Sequence, residues 1–113
     1  MIVAASMSQG VGGPEFTELC RGLHSIDEFL DRIHGAPVVI DQWQLQEMMH
    51  VLQKCEVMVV TAGVEPNFLR GCLLTPMPSV DDALQAALAT HGRNAKLTVI
   101  PEGPYVTPVP NVA

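Results

Sequence analysis

Positive charge is scarce in this chain. Six lysines and arginines face twelve acidic residues, giving a formal net charge of −6, and Lys54 and Lys96 are the only lysines. Without a basic stripe there is little to neutralise phosphates, which argues against nucleic acid and anionic membrane surfaces as partners. No apolar run approaches the length of a bilayer span, and no charged n-region with a following h-region opens the chain. Cysteine is limited to Cys20, Cys55 and Cys72, an odd number scattered among apolar neighbours. That pattern excludes a disulfide framework or a zinc knuckle and places the chain in a reducing compartment, the cytoplasm. The histidines His24, His34, His50 and His91 form no metal-ligand spacing and no Ser/His/Asp or Cys/His constellation. His34 and His91 end helices, where a cation complements the dipole. Read alone, the chain lacks a catalytic apparatus, and neither a catalytic nor a metal-binding residue is assigned.

Apolar character is plentiful. The 113 residues are 48% hydrophobic and 16% charged, with a mean hydropathy of +0.25. One small domain has too much surface to hide all of this, so part of the apolar surface is expected to meet another domain or subunit.

Short apolar, partly β-branched runs recur at Ile2–Ser6, Val57–Ala62, Cys72–Thr75 and Lys96–Pro101. They are continuously apolar, as in parallel strands covered on both faces. Between them lie capped helices. "SIDEFLDRIH" opens with Ser25 and Glu28 in capping-box positions, and "SVDDALQAALATHG" with Ser79 and Asp82, stopping at Gly92. A short helix is expected over "PEFTELCRGL" with Pro14 at its first position, and another after Asp41 as N-cap with Gln44 three residues on. Strands alternating with helices give an α/β, Rossmann-like layered domain: a mostly parallel small sheet of about four strands over residues 1–113, flanked by helices, with three helices in the first crossover. A strand opening at residue 2 with no lead-in is expected of a domain cut from a longer protein, Met1 being a supplied start. The tail "PEGPYVTPVPNVA", with four prolines, is expected to be an extended segment over the domain or a frayed one.

In open parallel sheets ligands collect at the carboxyl ends of the strands. The loops there, "SMSQGVGGPEF", "TAGVEPN", "TPMPSV" and "PEGPYV", are rich in glycine or proline. Gly10, Gly12 and Gly13 follow a strand and precede a helix, the setting of an anion-binding turn. The G-V-G-G pattern is neither a dinucleotide fingerprint nor a Walker loop, so a structural or domain-contact turn stands beside direct ligand contact.

In "DQWQLQEMMHVLQ", Leu45, Met48, Met49 and Leu52 form a core-facing stripe. Trp43, the only tryptophan, falls roughly 160° from the centre of that stripe. Either the indole folds back under the tail near Tyr105, or it meets a ligand or neighbouring domain. Tryptophan suits an outside partner because it offers a large apolar area with one N–H donor.

The runs "IVAASMSQGVGGPEF", "DQWQLQEM", "CEVMVVTAG" and "LLTPMPSVDDALQAALATHGRNAKLTVIPEGPYVTPV" together resemble the C-terminal domain of nickel-dependent lactate racemase and its relatives, over nearly the full chain. The resemblance implies a two-domain enzyme that racemises or epimerises 2-hydroxy acids by transient hydride transfer to a nickel pincer nucleotide. It also implies that the covalent lysine, the nickel-binding histidine and the two general-base histidines lie in an N-terminal domain outside these residues. Trp43 matches the family tryptophan lining the active-site cleft, with Gln42 and Gln44 beside it. This piece would close the cleft, bind no cofactor alone and be inactive by itself; an isolated copy could cover its apolar face as a homodimer. Two other readings stay open, a free-standing binding or dimerisation module and a small phosphate- or nucleotide-binding domain using Gly10, Gly12 and Gly13.

Overall fold

The computed structural model describes residues 1–109. The first strand, β1 (Ile2–Ala4), is followed by α1 (Pro14–Cys20), α2 (Ile26–Ile33) and α3 (Gln42–Leu52) before β2 (Met58–Val60). Then come α4 (Pro66–Gly71), β3 (Thr75–Pro76), α5 (Val80–His91) and a 3₁₀ turn at Gly103–Tyr105. The sheet is parallel throughout, in the order β1-β2-β3. Ile2 lies opposite Met58 and Val59 opposite Pro76. Pro76 has no N–H for a ladder, and an edge strand is where that is tolerated.

The central strand is the covered one, as continuous apolar runs require: Val57, Met58 and Val59 are all buried. Val57 and Val59 pack with Leu69 of α4, and α5 lies against β1 and β2. A second, larger cluster gathers Cys20, Leu23, Phe29, Leu45, Met49 and Cys72, with Phe16, Met48 and Phe68 against it. It binds the three crossover helices to the end of α4, so the long connection carries its own core.

The caps explain where helices begin. The Ser25 hydroxyl accepts the Glu28 N–H at 3.1 Å and the Ser79 hydroxyl accepts the Asp82 N–H at 3.0 Å. Glu28 reaches one residue further back than a capping box predicts, accepting the His24 N–H at 2.9 Å. It also pairs with Arg32 at 2.7 Å, and Arg32 donates to the Arg21 carbonyl at 2.8 Å, tying α2 to the end of α1.

Three expectations need correction. The sheet has three strands among the described residues, because Lys96–Ile100 pairs with no strand. That segment runs past α5 and the start of β1 across a hollow of about 420 Å³, leaving Leu97 and Val99 exposed. Next, Cys72–Leu74 is the close of a helix and not a strand. The Cys72, Leu73 and Leu74 N–H groups all return to the last turn of α4, and Leu73 takes a left-handed φ of 62°. The helix α4 begins within "TAGVEPN", with Pro66 at its first position. Finally, Asp41 holds the N-cap position of α3 without capping it, since its backbone is left-handed (φ 63°, ψ 4°) and its carboxylate makes no bond to the first turn's N–H groups. The tail is exposed through Val109, and its residues 110–113 lie outside the described part.

Candidate functional site

At the carboxyl end of the sheet, the loops after β1 and β2 are bound to each other. The Thr61 hydroxyl donates to the Ser6 carbonyl at 3.0 Å and accepts the Gly63 N–H at 3.1 Å. A Cβ on Gly63 would overlap the carbonyl of Met7, so only glycine fits that close approach. Met7 itself is left-handed at φ 45°, and the Gly10 N–H closes the turn onto its carbonyl at 2.9 Å.

The glycine loop continues with Gly10 and Gly12 at φ 79° and 93°. Gly13 is extended and stands at the N-cap of α1. A Cβ built on Gly13 would lie 3.8 Å from Oδ2 of Asp41 and 3.6 Å from Oε2 of Glu15. Tertiary structure therefore brings the glycine loop against the turn that carries Trp43. Beneath the loop lies an apolar hollow of about 250 Å³, lined among others by Phe16, Met48, Cys20 and Cys72.

Trp43 is 64% exposed in the first turn of α3, while Leu45 two residues on is fully buried. Tyr105 is itself 85% exposed, so the indole is not sealed under the tail. Val38 and Ile40 stand exposed just before the same turn, at 84% and 69%. Three large apolar side chains are thus exposed within six residues of sequence.

Gln42 and Gln44 part company. Gln42 turns inward and is buried, its Oε1 accepting the Val39 N–H at 3.4 Å while its own N–H goes to the Val39 carbonyl at 3.3 Å. Gln44 stays exposed, and its Nε2 donates to Oδ1 of Asp41 at 3.2 Å. The residues that sequence reasoning passed over are Asp41, as a left-handed pivot, and Glu15 beside Gly13. Aspartate is among the few non-glycine residues that adopt αL readily, which was the available hint.

No group of three or more His, Cys, Asp or Glu side chains able to hold a metal ion occurs among the described residues. His24 bonds Glu28 on the surface at 3.0 Å, and His34 caps the end of α2. The buried Cys20 thiol is pushed well above the ordinary thiol range, first by its hydrogen bond with Cys72 and then by burial. It remains a protonated, unreactive part of the core. No helix among the described residues is long and apolar enough to cross a membrane.

A small parallel sheet flanked by helices, with the loops after its first two strands interlocked, defines an α/β domain. The family model of the lactate racemase C-terminal domain matches residues 1–107, and the chain belongs to that family. The lactate racemase of Lactiplantibacillus plantarum is 30% identical over 106 residues, covering 91% of this chain and 25% of that protein. That of Thermoanaerobacterium thermosaccharolyticum is 26% identical over the same length and shares. A solved structure of the lactate racemase apoprotein from the latter organism matches with a TM-score of 0.77 and 25% identity, over 90% of this chain and 25% of that one. The chain thus spans about a quarter of the length of the relatives it matches (25%).

Proposed function

We propose that this chain is the C-terminal domain of a cytoplasmic two-domain enzyme that racemises or epimerises 2-hydroxy acids, and that it closes the cleft against an N-terminal domain of the same protein. The observation carrying this reading is the exposure of Val38, Ile40 and Trp43 around the turn that meets the glycine loop. In a lone domain these side chains would remain wet at a cost; against a second domain they exclude water. The same side chains would bring two isolated copies of the chain together.

The family implies a nickel pincer nucleotide in the complete enzyme, which supplies hydride transfer when bound. No group of three or more metal-ligating side chains occurs among the described residues, so the ligands of the nickel are expected in the N-terminal domain. The contribution of this chain is instead to cover and orient. Trp43 offers a flat apolar surface that dries the substrate's surroundings and restricts its tumbling, with Asp41 and Gln44 at its border.

Replacing Trp43 with Ala in the full-length enzyme is expected to lower kcat by about 100-fold with little change in unfolding free energy. Trp43→Phe, which keeps an apolar ring, is expected to recover part of the rate. Parallel losses of rate and stability would instead assign Trp43 a packing role.

A further inference from the structure

Gly92 ends α5 at a φ of 87° and turns the chain back beside the start of β1. Lys96–Ile100 then runs past Met1 and Ile2 without pairing to a strand, and the hollow of about 420 Å³ stays open between them and α5. Its walls include Ile2, Leu84 and Leu88, all half-buried, and Leu97 and Ile100 of the passing segment, 64% and 43% exposed. Small-molecule sites take this form: a hollow of roughly 300–1,000 Å³ with mainly apolar walls and a few polar groups.

The charge around this hollow has one sign. His91, in the last turn of α5, and the exposed Lys96 both line it. From Ala83 to Pro101 the chain has no aspartate or glutamate, and its charged residues there are Arg93 and Lys96. Arg93 borders an adjoining hollow that shares Leu88. In a protein of net charge −6 this is a local reversal, and it falls beside apolar walls that are only partly covered. Such a combination complements an amphipathic anion. The alkyl chain leaves water against the leucines, and the head group stays at the surface, accepting a charge-assisted hydrogen bond from the ammonium. We infer that the hollow binds a medium-chain fatty acid, its chain between Ile2, Leu84 and Leu88 and its carboxylate paired with Lys96. At about 30 Å³ per displaced water, and about one water per methylene, the volume suits a chain of roughly ten to twelve carbons.

Calorimetric titration of the full-length protein with decanoate, kept below its micellar concentration, should show one saturable site per chain. Affinity should rise by roughly tenfold for each two carbons from octanoate to dodecanoate, as burial of the added methylenes predicts. Lys96→Gln should weaken decanoate by about fivefold and leave uncharged decanol unchanged. Ala87 lines the same hollow from α5. Ala87→Leu fills the space with another good helix former, so it should abolish binding while Tm holds or rises. Decanoate should raise the Tm of the parent protein and leave that of Ala87→Leu where it was, because a ligand of the folded state stabilises by mass action. Four results would overturn the assignment: no saturable binding, a Tm that falls with added decanoate as with a detergent, equal losses for decanoate and decanol in Lys96→Gln, or undiminished binding in Ala87→Leu.

Discussion

Gly63 and Met7 meet backbone to backbone: a methyl group on Gly63 would overlap the Met7 carbonyl. The contact joins the loop leaving β2 to the loop leaving β1, and Thr61 bonds the same loop to Ser6. Gly63→Ala is therefore expected to force the two loops apart. The cost is about 3 kcal/mol, at the upper end for overpacking a site that cannot yield. Thermal unfolding should show Tm lower by more than 10 °C or so. An unchanged Tm would mean that the loops separate freely.

Glu28 has its carboxyl held down to about 2, first by the His24 N–H, then by Arg32 and by the His24 ring. A carboxylate with a lowered folded value contributes stability that is complete above its ordinary value near 4.5 and is lost as pH falls toward 2. Glu28→Gln should therefore lower stability at pH 7, and its deficit relative to the parent should shrink as pH falls from about 4.5 to about 2. The group is exposed, so the effect is small and reduced by salt. Urea unfolding at pH 7, 4 and 2.5 measures the narrowing.

Leu45 and Trp43 occupy the same helix with opposite fates, 0% and 64% exposed. Leu45→Ala should cost about 2–5 kcal/mol by loss of burial and the cavity left behind. Trp43→Ala should change stability by no more than about 0.5 kcal/mol, as for other exposed substitutions. Paired urea titrations give the contrast directly.

Cys20 and Cys72 are 0% and 2% exposed within one core cluster, whereas Cys55 is half-buried. An aromatic disulfide reagent should label Cys55 in the folded protein, and Cys20 and Cys72 only after denaturant is added. Fast labelling of all three thiols would show that the cluster between α1 and α4 opens on its own.

What could be read without coordinates follows from how local each signal is. Ser25 and Ser79 cap helices through bonds spanning three residues, so the sequence neighbourhood contains the whole interaction. The stripe of Leu45, Met48, Met49 and Leu52 likewise turns Trp43 outward by helical geometry alone. The strand expected at Lys96–Pro101 failed for the opposite reason. Its apolar pattern suits a strand, but a ladder needs a partner edge, and α5 delivers the segment beside a hollow. Leu73 and Leu74 were misread because closing α4 and starting β3 share the same apolar letters, and only the N–H partners distinguish them.

Composition, caps and helical period determined by themselves an acidic parallel α/β chain with three helices in its first crossover and one indole off the core face. Only tertiary structure decided that Asp41 turns left-handed beside Gly13, that Gln42 goes inward while Gln44 stays out, and that Met7 and Gly63 interlock. Each of these depends on packing between segments far apart in the chain, and no short-range preference encodes the position of a distant neighbour.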